Sequence, residues 1–342
     1  MAAPPHFTGS LGYPPSSPSP RSHLHCLSPC NRAIKVSMSQ NQSYWTCVTQ
    51  KIEDQLKQLI PVRPPLLVYE PMHHLVFTAR RTMAPALCVA TCELVGGQQP
   101  ISPNQALVVA SALHLVQAAL FTHEQLPLTD RPIPSNPETL THHHAFAAGV
   151  ELLTGDGILS FVYELLGRSD DPAGGNSERL LRVIIEIARA MGSEGMVDGQ
   201  YRKMLCSVLG SEELCDVGWV DHVCEKKEGR LYACGAACGA ILGGGSEEEI
   251  EKLRNYGLYV GKIHGLMLYY HNNRTGGEEK GFTDLVERCT SLALKELEGF
   301  NQGMVQTLSS LVRASFWDKS VYASCKYICG KEGGRIQSSQ HF

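Results

Sequence analysis

Apolar positions along this chain recur at helical spacing, and nowhere do they alternate with the two-residue period of a strand over a useful length. Leu56-Lys57-Gln58-Leu59-Ile60 runs directly into a proline, which predicts a first helix over Cys47 to Ile60 that stops before Pro61. Leu87 to Leu94 is a short helical run closed by Gly96-Gly97, a helix-ending signal. Pro103 opens a long segment, with proline well suited to a first helical turn. The stretch Ala106 to Phe121 is apolar nearly all round, so it belongs inside a bundle. A polar, proline-rich loop is expected at Thr129 to Pro137, followed by another buried helix over Val150 to Leu166. Ser169 to Ser177 reads as a connector whose last serine can cap a helix carrying Leu180, Leu181, Ile184, Ile187 and Ala188. Further helices are expected over Trp219 to Leu242, Ser246 to Tyr270 and Phe282 to Leu297. Glu247, Glu248 and Glu249 fall in a first turn, where the helix dipole favours acids. No short-period repeat is visible. The pattern predicts an all-α helical bundle.

Composition adds three limits. With 342 residues, 43% of them hydrophobic, the chain can bury a large core as one domain or two. Its formal net charge of −4 gives no reason to expect nucleic acid or an anionic membrane surface as partner. No uninterrupted apolar stretch is long enough to span a bilayer, since Ala106 to Phe121 carries Ser111, His114 and Gln117, so a soluble protein is expected.

The opening of the chain has its own composition. No Asp or Glu occurs before Glu53, while Arg21, Arg32 and Lys35 stand among serines and prolines. Such an acid-free, Ser-rich start is the composition of an organelle transit peptide, and its proline density favours a plastid over a mitochondrial address. The expected organisation is a disordered transit peptide over 1–40, a helical domain over 41–312 and a tail over 313–342.

Thirteen cysteines suggest a disulfide framework only at first sight, because most thiols in an organelle protein of this size are reduced and buried. Their spacing is more informative. Cys88/Cys92 and Cys234/Cys238 are i,i+4 pairs, so each pair shares one helical face. The small spacers Val-Ala-Thr and Gly-Ala-Ala make these faces flat. Three readings stay open: a zinc site with unusual Cys-x3-Cys spacing, plain core cysteines, or a contact surface for another helical subunit. Cys26/Cys30 falls in the presumed transit segment. Cys325-Lys326-Tyr327-Ile328-Cys329 has a bulky, charged spacer and is given no role.

Several segments, in one order from about Tyr44 to Phe300, resemble trans-prenyltransferases (isoprenyl diphosphate synthases). They are Cys88 to Gly97, the run His123-Glu124-Gln125-Leu126-Pro127-Leu128-Thr129-Asp130, Leu153-Thr154-Gly155-Asp156-Gly157-Ile158-Leu159, Gly199-Gln200, and Gly239-Ala240-Ile241-Leu242-Gly243-Gly244. The resemblance implies chemistry with a plain requirement. Magnesium ions held by carboxylates on two facing helices neutralise a departing diphosphate, and basic residues hold the second substrate.

Here the resemblance fails in three places. Glu124 and Gln125 stand where the family has paired aspartates, and only Asp130 remains of that motif. The second acidic motif is replaced by His264-Gly265-Leu266-Met267-Leu268-Tyr269-Tyr270-His271-Asn272, which has no carboxylate. The family's Gly-Gly-Lys-Arg-x-Arg-Pro run is matched by Ala79-Arg80-Arg81-Thr82-Met83-Ala84-Pro85, with the basic residues partly gone. Lys227 stands where a family lysine sits. His271-Asn272 and the solvated-looking run His142-His143-His144 are poor replacements for a metal site.

Within the family, the Cys-x3-Cys pairs, Pro71-Met72-His73-His74-Leu75 and Glu151 to Gly157 resemble the small subunits of plant heterodimeric geranyl diphosphate synthases. That resemblance implies a non-catalytic regulatory chain of the plastid stroma with no metal of its own. It implies a geranylgeranyl diphosphate synthase large subunit as partner, in a heterodimer or heterotetramer, with magnesium in that partner. The product would shift to the ten-carbon geranyl diphosphate for monoterpenes, and docking would use Cys88, Cys92, Cys234 and Cys238. Two alternatives remain: a weak stand-alone short-chain synthase using Glu124, Asp130 and Asp156, and a redox- or metal-regulated interaction protein using the cysteine pairs.

Overall fold

The computed structural model describes residues 29–97, 103–126, 145–170, 176–209, 216–272 and 279–313. The described residues are helical throughout, with short connections and no strand. Twelve α-helices follow in order: α1 (Pro29–Leu59), α2 (Leu66–Thr78), α3 (Ala84–Gly96), α4 (Pro103–Gln125), α5 (Ala148–Arg168), α6 (Ser177–Met191), α7 (Met196–Leu209), α8 (Val217–Cys224), α9 (Arg230–Gly243), α10 (Glu247–Asn272), α11 (Glu279–Glu296) and α12 (Gln302–Ser309). The chain divides into two compact units, 1–39 and 40–342; only the helical residues 29–39 of the first are described, and the hydrophobic core lies in the second.

The elements expected from hydrophobic spacing are present, with three informative differences. The first helix begins at Pro29 rather than Cys47. Residues 30–46 contain neither Gly nor Pro, so nothing stops a helix propagating backwards until Pro29, which suits a first turn. The expected transit segment therefore overlaps this helix at 29–40, while residues 1–28 lie outside the described residues. Second, α2 and α7 escape the pattern reading, since α2 contains Pro71 and α7 opens beside glycines. Third, the helix expected over Trp219 to Leu242 is interrupted by a π-helical turn over Glu225–Gly229. The loop expected at Thr129 to Pro137 lies outside the described residues.

α4 is the central rod. Its residues Val109, Ala110, Ala112, Leu115 and Ala118 are inaccessible to solvent, and Leu113 and Val116 nearly so. By length and composition Asn104–Gln125 could cross a membrane, but it is mostly buried inside the bundle. Two glycine rows bring other helices unusually close. On α9, Gly235, Gly239 and Gly243 lie against the α3 backbone at Ala84, Cys88 and Cys92. On α10, Gly257, Gly261 and Gly265 lie against Tyr232, Glu228 and Cys224. α9 is thus clamped between α3 and α10, and its amino-terminal end carries the π turn into the centre of the molecule. Ser246 caps α10 in a reciprocal box: its N–H donates to Glu249 Oε2 at 2.8 Å, while Glu249 N–H donates to Ser246 Oγ at 3.3 Å.

Candidate functional site

A cavity of about 310 Å³ opens between the carboxy-terminal half of α4, α7 and the π turn. Leu120 and Phe121 of α4, Met196, Val197, Tyr201 and Met204 of α7, and Leu231 of α9 form its apolar walls. Arg80, Glu124, Gln200, Lys227 and Glu228 form its polar end. The π turn is what delivers Lys227 and Glu228 there. Its only sequence signal is the charged run Glu225-Lys226-Lys227-Glu228 inside an otherwise apolar helix, ending on Gly229.

At the polar end Glu124 is fully engaged. One carboxylate oxygen accepts from Lys203 of α7, and the other from Lys227 at 2.7 Å. Lys227 also donates to Gln200 Oε1 at 3.1 Å. Burial alone would raise the Glu124 carboxyl, but the Lys227 and Lys203 ammonium groups outweigh it and hold the group below its ordinary range. Gln125 is half-buried at the end of α4, and Asp130 lies outside the described residues.

The other two altered segments are also occupied by internal partners. Arg80 donates to Glu228 at 2.7 Å, and Arg81 turns away to Glu53 at 2.8 Å. Glu228 is buried, which opposes its charge, yet Arg80 and Lys227 hold its carboxyl down to about 2. In the carboxylate-free segment of α10, His264 is buried against the Tyr232 hydroxyl at 3.1 Å, and that hydroxyl accepts from Met83 N–H at 2.9 Å. Burial, reinforced by Arg80, pushes the His264 imidazole down to about 3. Asp221 and Glu225, the acids across from α10, both pair with Lys262, at 2.8 and 3.2 Å. Asp156 faces His123 at 3.4 Å. Among the described residues, no group of three His, Cys, Asp or Glu side chains converges as a metal site. The side chains of His271 and Asn272 and the run His142-His143-His144 lie outside the described positions.

These shifts set a pH dependence. His264 and Glu228 both bind protons less readily folded than unfolded, so the unfolded state gains protons first as pH falls. The stability tied to His264 is intact above 6.5 and is lost toward about 3; that tied to Glu228 is lost from 4.5 toward about 2. Thermal melts across pH are expected to be level above neutrality and to fall progressively below it. His264→Gln should flatten the upper part of that fall, and an unchanged midpoint between pH 7 and 5 in the wild type would contradict a buried neutral imidazole.

The cysteine pairs correct one expectation. Cys88 and Cys92 of α3 and Cys234 and Cys238 of α9 are all buried, and the two faces meet each other rather than another subunit. Cys234 and Cys238 Sγ lie 3.8 Å apart, and all four are free thiols. The small spacers that looked like a docking surface instead let α3 and α9 approach to backbone contact. Burial drives the Cys88 thiol well up, and the hydrogen bond shared with Cys234, together with burial, does the same for Cys238. Neither behaves as a reactive thiolate.

A different surface is exposed and apolar. Leu67 of α2 and Leu153 of α5 are 81% and 72% exposed, with Leu66, Val68 and Leu152 beside them. Leu67, Val68 and Leu153 edge a groove of about 810 Å³ between the two helices, lined also by Ile60, Met72 and Phe161 and by Arg63, Glu164 and Arg168. Sequence reading missed this face because Leu152 and Leu153 fit a buried helical stripe equally well.

Helix order, central cavity and clamped α9 define the class as the isoprenyl diphosphate synthase fold. The structure superposes on the FPP/GFPP synthase of Zymomonas mobilis with a TM-score of 0.66, over 80% of this chain and 98% of that one, at 22% identity. No family model matches the sequence. Relatives are specific: the chain is 49% identical over 274 residues to heterodimeric geranylgeranyl pyrophosphate synthase small subunit 2, chloroplastic, of Cannabis sativa, covering 80% of this chain and 91% of that protein. It is 44% identical over 282 residues to small subunit 1 of the same plant, covering 82% and 87%. Among solved structures, the geranyl diphosphate synthase small subunit of Antirrhinum majus matches with a TM-score of 0.67 and 47% identity, over 80% of this chain and 98% of that one. The chain belongs to the small-subunit branch of the trans-prenyltransferase family.

Proposed function

We infer that this chain is the non-catalytic small subunit of a plastid heterodimeric prenyl diphosphate synthase. It pairs with a geranylgeranyl diphosphate synthase large subunit and shifts that partner's product to geranyl diphosphate. The observation that carries the reading is the state of Glu124: a family scaffold is intact, yet its remaining leading carboxylate is committed to Lys203 and Lys227. The residues present do not fit magnesium there, and Arg80 and Arg81 are committed to Glu228 and Glu53. The metal-dependent step therefore belongs to the partner. The names of its relatives support the pairing, the chloroplast and, for the Antirrhinum protein, the geranyl product.

The exposed α2–α5 face is the surface offered to the large subunit, because relatives named as heterodimeric subunits need one and Leu67 and Leu153 stand exposed along this groove. A helical domain starting near residue 41 is supported by the bonds from Asn41 Nδ2 to the Gln306 carbonyl at 3.3 Å and from Trp45 Nε1 to Ser310 Oγ at 3.0 Å, which tie α1 to α12 and the residue after it. An import segment would end ahead of these contacts.

The deciding assay measures product length for the chain alone, for a geranylgeranyl diphosphate synthase alone, and for the mixture. Alone, the chain is expected to turn over at least about 1000-fold more slowly than the mixture, since metal stabilisation of the leaving group contributes several kcal/mol. The mixture is expected to release mainly the ten-carbon product. Comparable turnover by the chain alone, or an unchanged product spectrum in the mixture, would refute the reading.

A further inference from the structure

We propose that Lys203 and Lys227 act as a built-in substitute for the divalent cation, tying the end of α4 to α7 and to the π turn so that the cavity keeps one shape at any magnesium concentration. Two tethered ammonium groups bring the same two positive charges as one divalent ion. They approach opposite oxygens of a single carboxylate, with Lys227 anchored a second time on Gln200. α4 is distant in sequence from α7 and the π turn, and the cluster sits at the polar end of an otherwise apolar cavity. Lys227 is nearly buried at 12% exposure and Glu124 at 14%, so the inner pair is shielded from solvent ions; Lys203, at 49%, forms the outer edge. Gly199 lets α7 approach closely enough for this, because a Cβ there would press within 2.7 Å of Lys227 Cγ and 2.9 Å of Lys226 Cβ. Lys227 stands where a family lysine sits, so the device lies in how Lys203 and Lys227 share the single carboxylate of Glu124.

The test uses the whole chain without its partner, so it can fail while the mixing assay succeeds, and the reverse. Melting is followed in MgCl2 and in NaCl of equal ionic strength, and Mn²⁺ binding is read by electron paramagnetic resonance. Expected are equal midpoints in the two salts and no bound Mn²⁺ that Glu124→Gln removes. Glu124→Gln, which leaves two ammonium groups facing each other, is expected to lower the midpoint on the order of 5 °C. Lys203→Met together with Lys227→Met is expected to lower it too and to make it responsive to Mg²⁺, because the carboxylate is then free. Should Glu124→Gln fail to fold, Lys203→Met, at the exposed edge, provides the milder variant, expected to show a smaller loss. Wild-type stabilisation by Mg²⁺ beyond that by NaCl, or Mn²⁺ broadening centred on Glu124, would overturn the proposal, as would unchanged midpoints in all the variants.

Discussion

Leu153→Asp is expected to abolish association with the large subunit while leaving the isolated chain folded. Leu153 stands 72% exposed on α5, so its replacement removes little buried surface from the monomer. In the complex the same position would hold a carboxylate away from water against Leu67, Val68 and Val150, while the groove's cations, Arg63 and Arg168, are already engaged with Tyr69 and Glu164. Desolvating one unpaired charge at an interface costs about 3–5 kcal/mol, a roughly 100- to 1000-fold or greater loss of affinity. Leu67→Asp should behave likewise from the facing helix. Light scattering after gel filtration of the mixture reads the association, and circular dichroism melts read the fold. A complex of undiminished affinity with a normal product shift would remove α2 and α5 from the interface.

Gly239→Ala is expected to be the most damaging small substitution in the chain. A methyl group at this position would overlap both the Cys88 carbonyl oxygen and the Thr91 hydroxyl. The carbonyl is backbone, and Thr91 is held by bonds to Leu87 and Ala236, so neither has room to retreat. Alanine's better helix propensity returns about 1 kcal/mol, whereas forcing apart a helix seam costs about 3 kcal/mol or more. The overlap wins, and urea unfolding should show a clear loss of stability or an unfolded chain. Cys88→Ser and Cys238→Ser exchange a buried thiol for a hydroxyl that can bond back to a helix carbonyl, so each should cost only about 1–2 kcal/mol. Loss of partner binding in those variants should follow their loss of folded protein; a fully stable Cys→Ser variant that no longer binds would return the cysteines to the subunit interface.

The helices were largely legible because burial writes a 3.6-residue period into α5, α6, α10 and α11, because α4 is apolar nearly all round, and because Gly96-Gly97 and Ser246 mark ends plainly. α2 was not, since Pro71 breaks the expected pattern while tertiary packing still holds the helix around it. At the site, the missing carboxylates were visible in the sequence, but what fills their place was not. Lys203 lies 79 residues from Glu124, and Lys227 lies 103 away, and no local pattern links residues at such separations. The cysteine pairs show the opposite failure. An i,i+4 pair specifies a face but not what the face meets, and here it meets the glycine row of the neighbouring helix. A row of glycines at the same spacing as the cysteines was the available signal.

The Glu124–Lys203–Lys227 cluster also bears on how this lineage can change. Returning an aspartate to position 125 would add a second carboxyl group beside two ammonium groups already in place, and the new charge would be drawn into the existing cluster before it could serve a metal. Recovery of synthase chemistry would require Lys203 and Lys227 to release Glu124, the acids to return on both facing helices, and Arg80 to release Glu228. The ion pairs thus work as a ratchet: once the scaffold had settled on them, stepping back became harder than remaining a subunit.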